Sequence, residues 1–104
     1  MTDNGKTILT GVVVDEVNKI TIDEVTQFCS VRREKIVALV TEGIVEPEGE
    51  APEEWRFSGR ELSRARKALR IESDLDINLS AVAVILDLLD RIDDLQAALG
   101  QRRR

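Results

Sequence analysis

The sequence has few of the side chains that carry out chemistry at neutral pH. Its 104 residues include no histidine, no tyrosine and a single cysteine, Cys29. Histidine is the side chain that most often transfers protons near pH 7. Without it, the chain lacks the usual general base for acid–base and nucleophilic catalysis. A lone cysteine excludes both an internal disulfide and a cysteine-rich zinc site. We therefore expect a protein that is not an enzyme and that holds no cofactor or metal.

Long apolar runs are also absent. No stretch approaches the roughly 20 apolar residues of a membrane-spanning helix. The apolar residues 8–14 are followed at once by Asp15 and Glu16, which is unlike a secretory signal. With one free cysteine, the chain is expected in the reducing environment of the cytoplasm.

The charge is unevenly distributed along the chain. The net charge is −5, and residues 46–54 hold five glutamates and no base. Residues 56–70 hold six bases against one acid, whereas residues 71–99 hold seven acids against one base. Because these blocks create local fields, the net charge alone does not identify the partner.

The first half of the chain predicts a strand and a helix. The β-branched residues in the segment 7–14 favour a short strand, and we expect residues 1–6 to be frayed. Thr21 and Glu24 form the pattern of a capping box, which predicts a helix that continues through Phe28.

A second short helix is expected over residues 33–42. Its start is less defined, since Arg32 is a poor N-cap and Ser30 is the alternative. Gly43 can adopt the left-handed conformation that ends a helix. Two short helices joined by a tight turn form a helix-turn-helix.

Two short extended segments, 44–47 and 55–57, surround the acidic residues and predict a β-wing. A second capping box, Ser58 to Glu61, predicts a third helix that ends near Ser73.

Asn78 is expected to cap a long helix from Leu79 to Leu99, closed by Gly100. A wide apolar stripe follows this helix, and no later segment is available to cover its last turns. We therefore expect it to pair with a second copy of the chain. The residues assigned to this dimer contact are Val82, Ile85, Leu89, Ile92 and Leu99.

The fold class is thus expected to be mainly α, a winged helix-turn-helix with a small β-wing and a long C-terminal helix. Three regions are predicted: an N-terminal arm over residues 1–19, the winged helix-turn-helix over 20–78, and the C-terminal helix with its basic tail over 79–104.

The order of these elements resembles the MerR-like helix-turn-helix superfamily and, within it, the CbpM-like chaperone-modulator family. The resemblance covers about residues 20–99. It is carried by Ile22-Asp23-Glu24-Val25, Phe28-Cys29, Ile36, Val40, Glu42-Gly43-Ile44-Val45-Glu46-Pro47, Trp55-Arg56-Phe57-Ser58, Arg66-Lys67-Ala68-Leu69-Arg70, Asp76-Ile77-Asn78-Leu79 and Val82-Ala83-Val84-Ile85-Leu86-Asp87-Leu88-Leu89.

The resemblance implies a small homodimer that binds the J-domain of a CbpA-like co-chaperone. Such a modulator would block access of the J-domain to its DnaK-type chaperone and temper the DNA binding of the co-chaperone. Nucleic acid is not the expected partner of this chain itself. DNA-binding relatives carry an Arg-Tyr-Tyr-Glu-like run where this chain has Val37-Ala38-Leu39-Val40, and their wing is basic.

The acidic wing is the candidate surface for a basic partner. We assign partner binding to Glu46, Glu48, Glu50, Glu53, Glu54 and Trp55. Charge complementarity at this surface would steer association and exclude wrong partners. The alternatives are a solvated loop with no partner and, for Trp55, a place in the core.

A MerR-like transcription regulator is the alternative function. In that case Arg32, Arg33 and Lys35, at the front of the second helix, would contact DNA, aided by the basic third helix. A toxin–antitoxin or scaffold module is a third alternative that no residue specifically favours.

Overall fold

The computed structural model describes residues 2–3, 6–9 and 12–102, with side chains from residue 13 to residue 100. Four α-helices follow an N-terminal antiparallel sheet. The elements in chain order are β1 Thr2–Asp3, β2 Lys6–Leu9, β3 Val12–Val14, α1 Ile22–Cys29, α2 Arg33–Thr41, α3 Gly59–Leu75 and α4 Leu79–Arg102, with a single 3-10 turn at Pro52–Glu54 between α2 and α3. The mainly α fold is confirmed.

The N-terminal arm differs from the prediction of one strand over residues 7–14. That stretch is divided between β2 and β3, which pair as neighbours with Ile8 opposite Val13. The strand β1 adds to the other edge of β2, so part of the segment expected to be frayed is in a sheet. The remaining residues of that segment lie outside the described part of the chain.

The helix starts follow the predicted caps. Thr21 and Glu24 make the reciprocal hydrogen bonds of a capping box at α1. The Ser58 hydroxyl accepts from the Glu61 amide at α3, and the Asn78 side chain accepts from the Ala81 amide at α4. Each cap satisfies one of the amide groups that a first helical turn leaves without a partner.

The cap of α2 and the ends of α3 and α4 differ from the prediction, while α1 and α2 end within one residue of it. Ser30 is not the N-cap of α2; it adopts the left-handed conformation at the C-terminus of α1, and Arg32 precedes α2 without a side-chain cap. The helix α3 ends two residues later than expected, at Leu75, where Asp76 takes the left-handed conformation. Gly100 does not close α4, which continues to Arg102.

The predicted β-wing is reduced to one bridge. Glu48 and Arg56 exchange two backbone hydrogen bonds of 3.0 and 2.8 Å. Phe57, expected in the same wing strand, pairs instead with Ile20, in front of α1. The wing is therefore tied to the start of the helix-turn-helix.

One hydrophobic core connects these elements. It contains Val14 from the sheet, residues of all four helices and both aromatic residues that follow the wing. Trp55 and Phe57 lie edge to face, with ring centroids 6.2 Å apart. The first two turns of α4 contribute Val82 and Leu86 to this core, while every residue from Asp90 to Gly100 is exposed. The second half of α4 thus projects away from the domain.

Candidate protein-binding surface

The basic residues at the front of α2 are mostly paired with carboxylates. The Arg33 guanidinium lies 3.4 Å from Glu53 and 3.8 Å from Asp23. The Lys35 ammonium lies 2.8 Å from Glu72, in a contact that is partly buried. Arg32 is exposed just before the helix. Two of the three cations assigned to DNA in the alternative function therefore already have carboxylate partners within the chain.

The acidic residues 46–54 form a defined turn, which we call the acidic hairpin. Gly49 has a φ of +111°, and a Cβ atom there would lie 2.6 Å from the carbonyl oxygen of Glu54. The 3-10 turn at Pro52–Glu54 and the bridge between Glu48 and Arg56 complete the structure. The backbone that carries these glutamates is therefore a defined turn.

Two glutamates of the acidic hairpin have partners inside the chain. Glu48 accepts a 2.6 Å hydrogen bond from the Lys19 ammonium, which raises the pKa of Lys19. Glu53 pairs with Arg33. Glu46, Glu50 and Glu54 are exposed, and no ion pair within the described residues involves them. Three carboxylates of the hairpin therefore remain available to a partner.

Trp55 is not an exposed anchor beside the hairpin. Its side chain is 9% exposed and belongs to the core cluster. The predicted alternative, a packing role, describes its position. A partner can approach the hairpin without reaching this indole ring.

The residues assigned to the dimer contact differ in burial. Val82 is fully buried in the core of its own chain, and Leu89 packs partly against that core. Ile92 and Leu99 are exposed, while Ile85 has intermediate exposure. Val82 is thus unavailable to a second copy, and the accessible part of the assignment lies in the second half of α4.

An exposed apolar stripe on α4 includes residues that the sequence reasoning missed. Its members are Val84, Leu88, Ile92, Leu95 and Leu99. Successive members are four, four, three and four residues apart, which places them on one side of the helix. Val84 and Leu88 were not recognised because the buried face of α4 dominates the apolar pattern at its start. We call this set the α4 stripe.

A shallow groove of about 510 Å³ separates the outer side of α2 from the corner between α3 and α4. The residues that line it are Glu34, Lys35, Val37, Ala38, Thr41, Glu42, Glu72, Asn78, Leu79 and Ser80. The sequence did not point to this α2 groove, because its walls come from segments about 40 residues apart. The aliphatic run at Val37 and Ala38, which was noted only as a departure from DNA-binding relatives, is the signal that could have found it.

The outer side of α3 is basic. Ser63, Arg66, Lys67 and Arg70 line a shallow depression of about 410 Å³. Arg66 stacks over the ring of Phe28, with its guanidinium carbon 4.8 Å from the ring centroid. In the described part of the chain, no carboxylate forms an ion pair with these three cations.

The remaining chemical groups do not form a reactive site. Burial raises the pKa of the Cys29 thiol, against a smaller lowering by Arg66. Across residues 2–3, 6–9 and 12–102, no group of three or more carboxylate, cysteine or histidine side chains is placed to hold a metal ion. None of the described helices combines the length and apolarity needed to cross a membrane.

Comparison with known proteins identifies the family of this chain. Residues 20–104 match the model of the MerR helix-turn-helix family of regulatory proteins. The chain is 38% identical over 99 residues to the chaperone modulatory protein CbpM of Coxiella burnetii, an alignment that covers 95% of this chain and 93% of that protein. It is 34% identical over 71 residues to the protein of the same name from Pseudomonas putida, covering 68% of this chain and 70% of that protein. The chain therefore belongs to the CbpM chaperone-modulator family within the MerR helix-turn-helix proteins.

Proposed function

We propose that this chaperone modulator binds the J-domain of a CbpA-type co-chaperone and blocks its access to a DnaK-type chaperone. Blocking would be steric and electrostatic, without a chemical step, and would temper the DNA binding of the co-chaperone as well. The observation that carries the proposal is the charge of the helix-turn-helix. Carboxylates pair with Arg33 and Lys35, and the acidic hairpin lies beside α2, where DNA-binding proteins of this superfamily carry a basic wing.

The acidic hairpin suits a cationic protein surface. Its three available carboxylates lie on an ordered turn, so a partner does not have to order the loop on binding. Complementary charges of this kind accelerate association and reject partners of like charge. They also repel the phosphates of DNA, whose binding depends on neutralisation by cations.

Binding to the J-domain tests the proposal directly. The purified protein is titrated with the J-domain of a CbpA-type co-chaperone, and stimulation of the ATPase of the DnaK-type chaperone is measured in parallel. We expect binding and loss of stimulation. Reversing the charge of Glu46, Glu50 and Glu54 together is expected to weaken binding, most strongly at low salt, without breaking the ion pairs of Glu48 and Glu53. A wild-type protein that binds no such J-domain refutes the proposal.

The basic side of α3 supports the alternative of DNA binding. Arg66, Lys67 and Arg70 are the cations that could contact phosphates. A gel-shift assay at low salt with a salt titration separates the two functions. Sequence-specific binding with a steep salt slope would favour a transcription regulator.

We also propose a homodimer formed through the α4 stripe. The supporting observation is the α4 stripe, whose five aliphatic side chains are between 47% and 70% exposed. Apolar patches of this continuity are typical of contact surfaces in soluble proteins.

A further inference from the structure

The outer side of α3 carries a basic surface that binding to a J-domain does not use. The α3 basic face consists of Ser63, Arg66, Lys67 and Arg70, which line the depression of about 410 Å³. Successive positions are three, one and three residues apart, so these side chains share one side of the helix. Leu62, Ala65 and Ala68 are buried on its other side. The face is therefore open to solvent.

The three cations of this face have no carboxylate partner of their own. Arg66, Lys67 and Arg70 are exposed, and none of them forms an ion pair within residues 13–100. Arg64, on the same helix, is paired with Asp90 at 3.2 Å. Neighbouring like charges repel each other, and a bound anion would relieve that repulsion. The α3 basic face thus produces a local positive field on an acidic protein.

One of the cations is held in place by an aromatic ring. The guanidinium carbon of Arg66 lies 4.8 Å from the centroid of the Phe28 ring, and Phe28 packs against the core. This contact uses the flat side of the guanidinium, whereas its N–H donors lie in the plane of the group and stay available. A donor that is already oriented loses less conformational freedom when a ligand binds.

The chemistry of the donors indicates phosphate. Guanidinium groups bind phosphate oxygens through paired N–H donors, and an ammonium adds a positive charge without fixed geometry. The half-buried Ser63 hydroxyl is a further donor at the same face. Because Arg66 covers a face of the Phe28 ring, the site offers the phosphates more than it offers a nucleobase.

The extent of the basic face favours a compact anion over a long one. From Ser63 to Arg70 the helix rises about 10 Å. Beyond Arg70 the chain carries the carboxylates of Glu72, Asp74 and Asp76. A duplex that continued past the depression would approach these carboxylates, and each one opposes phosphate binding. A short anion stays within the positive field, which salt screens over roughly 8–10 Å.

We propose that the α3 basic face binds a short chain of linked phosphates, the group shared by inorganic tripolyphosphate and nucleoside triphosphates. Arg66 and Arg70 hold phosphate oxygens at the two ends of the site, Lys67 adds charge between them, and the Ser63 hydroxyl donates a hydrogen bond. This inference is independent of J-domain binding, because the acidic hairpin and the α4 stripe take no part in it.

Calorimetric titration of the full-length protein tests the site. The probes are tripolyphosphate, ATP and adenosine, at low chloride concentration and without divalent cations. We expect both phosphate compounds to bind and adenosine not to bind. The double variant Lys67→Gln/Arg70→Gln is expected to bind tripolyphosphate at least about tenfold more weakly, because two of the three cations are removed. Tighter binding of tripolyphosphate than of ATP would indicate an inorganic ligand, and equal or tighter binding of ATP a nucleotide.

A second double variant controls for net charge. Arg60→Gln/Arg91→Gln removes the same charge from two exposed positions outside the α3 basic face, and we expect it to bind tripolyphosphate like the wild type. Equal weakening by both double variants would overturn the inference, because the position of the cations would then not matter. Binding of ATP without binding of tripolyphosphate would overturn it as well, since the nucleoside would then be the recognised part.

Cys29 supplies a measurement of where the anion binds. The Arg66 charge lowers the pKa of the Cys29 thiol, although burial has the larger, opposite effect. Phosphates bound at Arg66 offset this charge, so less thiolate forms and iodoacetamide should react more slowly when tripolyphosphate is present. In the Lys67→Gln/Arg70→Gln variant, the same tripolyphosphate concentration should slow the reaction less. An unchanged rate in the wild type under saturating tripolyphosphate would place the anion away from Arg66 and overturn the assignment.

Two further results would overturn the inference and leave the proposed function intact. One is a wild-type protein that binds no tripolyphosphate. The other is a duplex oligonucleotide that binds more tightly than tripolyphosphate and loses affinity in the Lys67→Gln/Arg70→Gln variant, which would make this face a nucleic-acid contact. Neither measurement involves a J-domain, so a failure of J-domain binding is detected separately.

Discussion

At the scale of single residues, Gly49 determines whether the acidic hairpin can close. Its φ of +111° and the short approach to the Glu54 carbonyl leave no room for a side chain. We expect Gly49→Ala to lower the free energy of unfolding by about 1–3 kcal/mol, because the substitution combines backbone strain with a steric clash. Thermal unfolding followed by circular dichroism measures this effect.

Gly100 provides the control for that substitution. It lies inside α4, and nothing is within 4 Å of the position that a Cβ would occupy. Gly100→Ala should therefore favour the helix by about 0.5–1 kcal/mol, since glycine is a poor helix former. A Gly49→Ala protein as stable as the wild type would show that the hairpin can adopt another turn.

Cys29 should react slowly with alkylating reagents. Its thiol is partly covered, and burial raises its pKa, so less of the reactive thiolate is present at pH 8 than in an unfolded chain. We expect the iodoacetamide reaction of the folded protein to require a higher pH than that of the protein in denaturant. The reaction rate is measured against pH by mass spectrometry, and equal profiles in both states would contradict the prediction.

Residue-level features were predictable to the extent that they are local. Thr21, Ser58 and Asn78 were identified as caps because a cap and its helix lie within four residues of each other. The pairing of Arg33 with Glu53 was not, because these residues are 20 positions apart and meet only after the chain folds. The same limit left two roles open for Trp55, partner contact and core packing, because its burial depends on elements from both halves of the chain.

At the scale of elements, removing the carboxylate partners of the cations on α2 should strengthen DNA binding. Replacing Asp23, Glu53 and Glu72 with their amides removes the partners of Arg33 and Lys35. We expect this variant to bind non-specific duplex DNA more tightly than the wild type and with a steeper salt dependence, since each freed cation can displace a counterion. Fluorescence anisotropy over a salt series measures both quantities.

A second triple variant separates this effect from a general loss of negative charge. Asp87, Asp93 and Asp94 on α4 are exposed, and changing them to asparagine alters the net charge by the same amount. If both variants gain the same DNA affinity, the pairing at α2 is not what suppresses binding.

The N-terminal sheet was predicted incompletely, because turn signals in the sequence were not used. One strand was expected where β2 and β3 form a hairpin with a third strand beside it. In the sequence, Asn4-Gly5 separates β1 from β2, and Asn-Gly is a strong signal for a two-residue hairpin turn. The β-branched residues revealed strand propensity, but the glycine at position 11 was not used to divide the segment.

At the scale of the whole molecule, the shape follows from the length of α4. The radius of gyration is 14.6 Å, compared with about 13 Å for a compact domain of this size. The longest dimension is 46 Å, and residues 90–100 of α4 are all exposed. The sequence predicted this helix well because its apolar stripe is periodic. Which apolar positions face the core could not be read from the period, since both the buried face and the α4 stripe satisfy it.

The α4 stripe leads to a prediction about assembly. Leu95 is 70% exposed and Ile92 is 47% exposed, so an aspartate at either position leaves the core of the chain intact. We expect Ile92→Asp and Leu95→Asp to convert a dimer into a monomer, because a charge would be buried without a partner at the contact. Light scattering coupled to size-exclusion chromatography at micromolar concentration measures the mass. Val17→Asp introduces the same charge at an exposed valine outside α4 and should leave the mass unchanged. A dimer that persists in both α4 variants would move the contact to another surface, and the α4 stripe would then require a different partner.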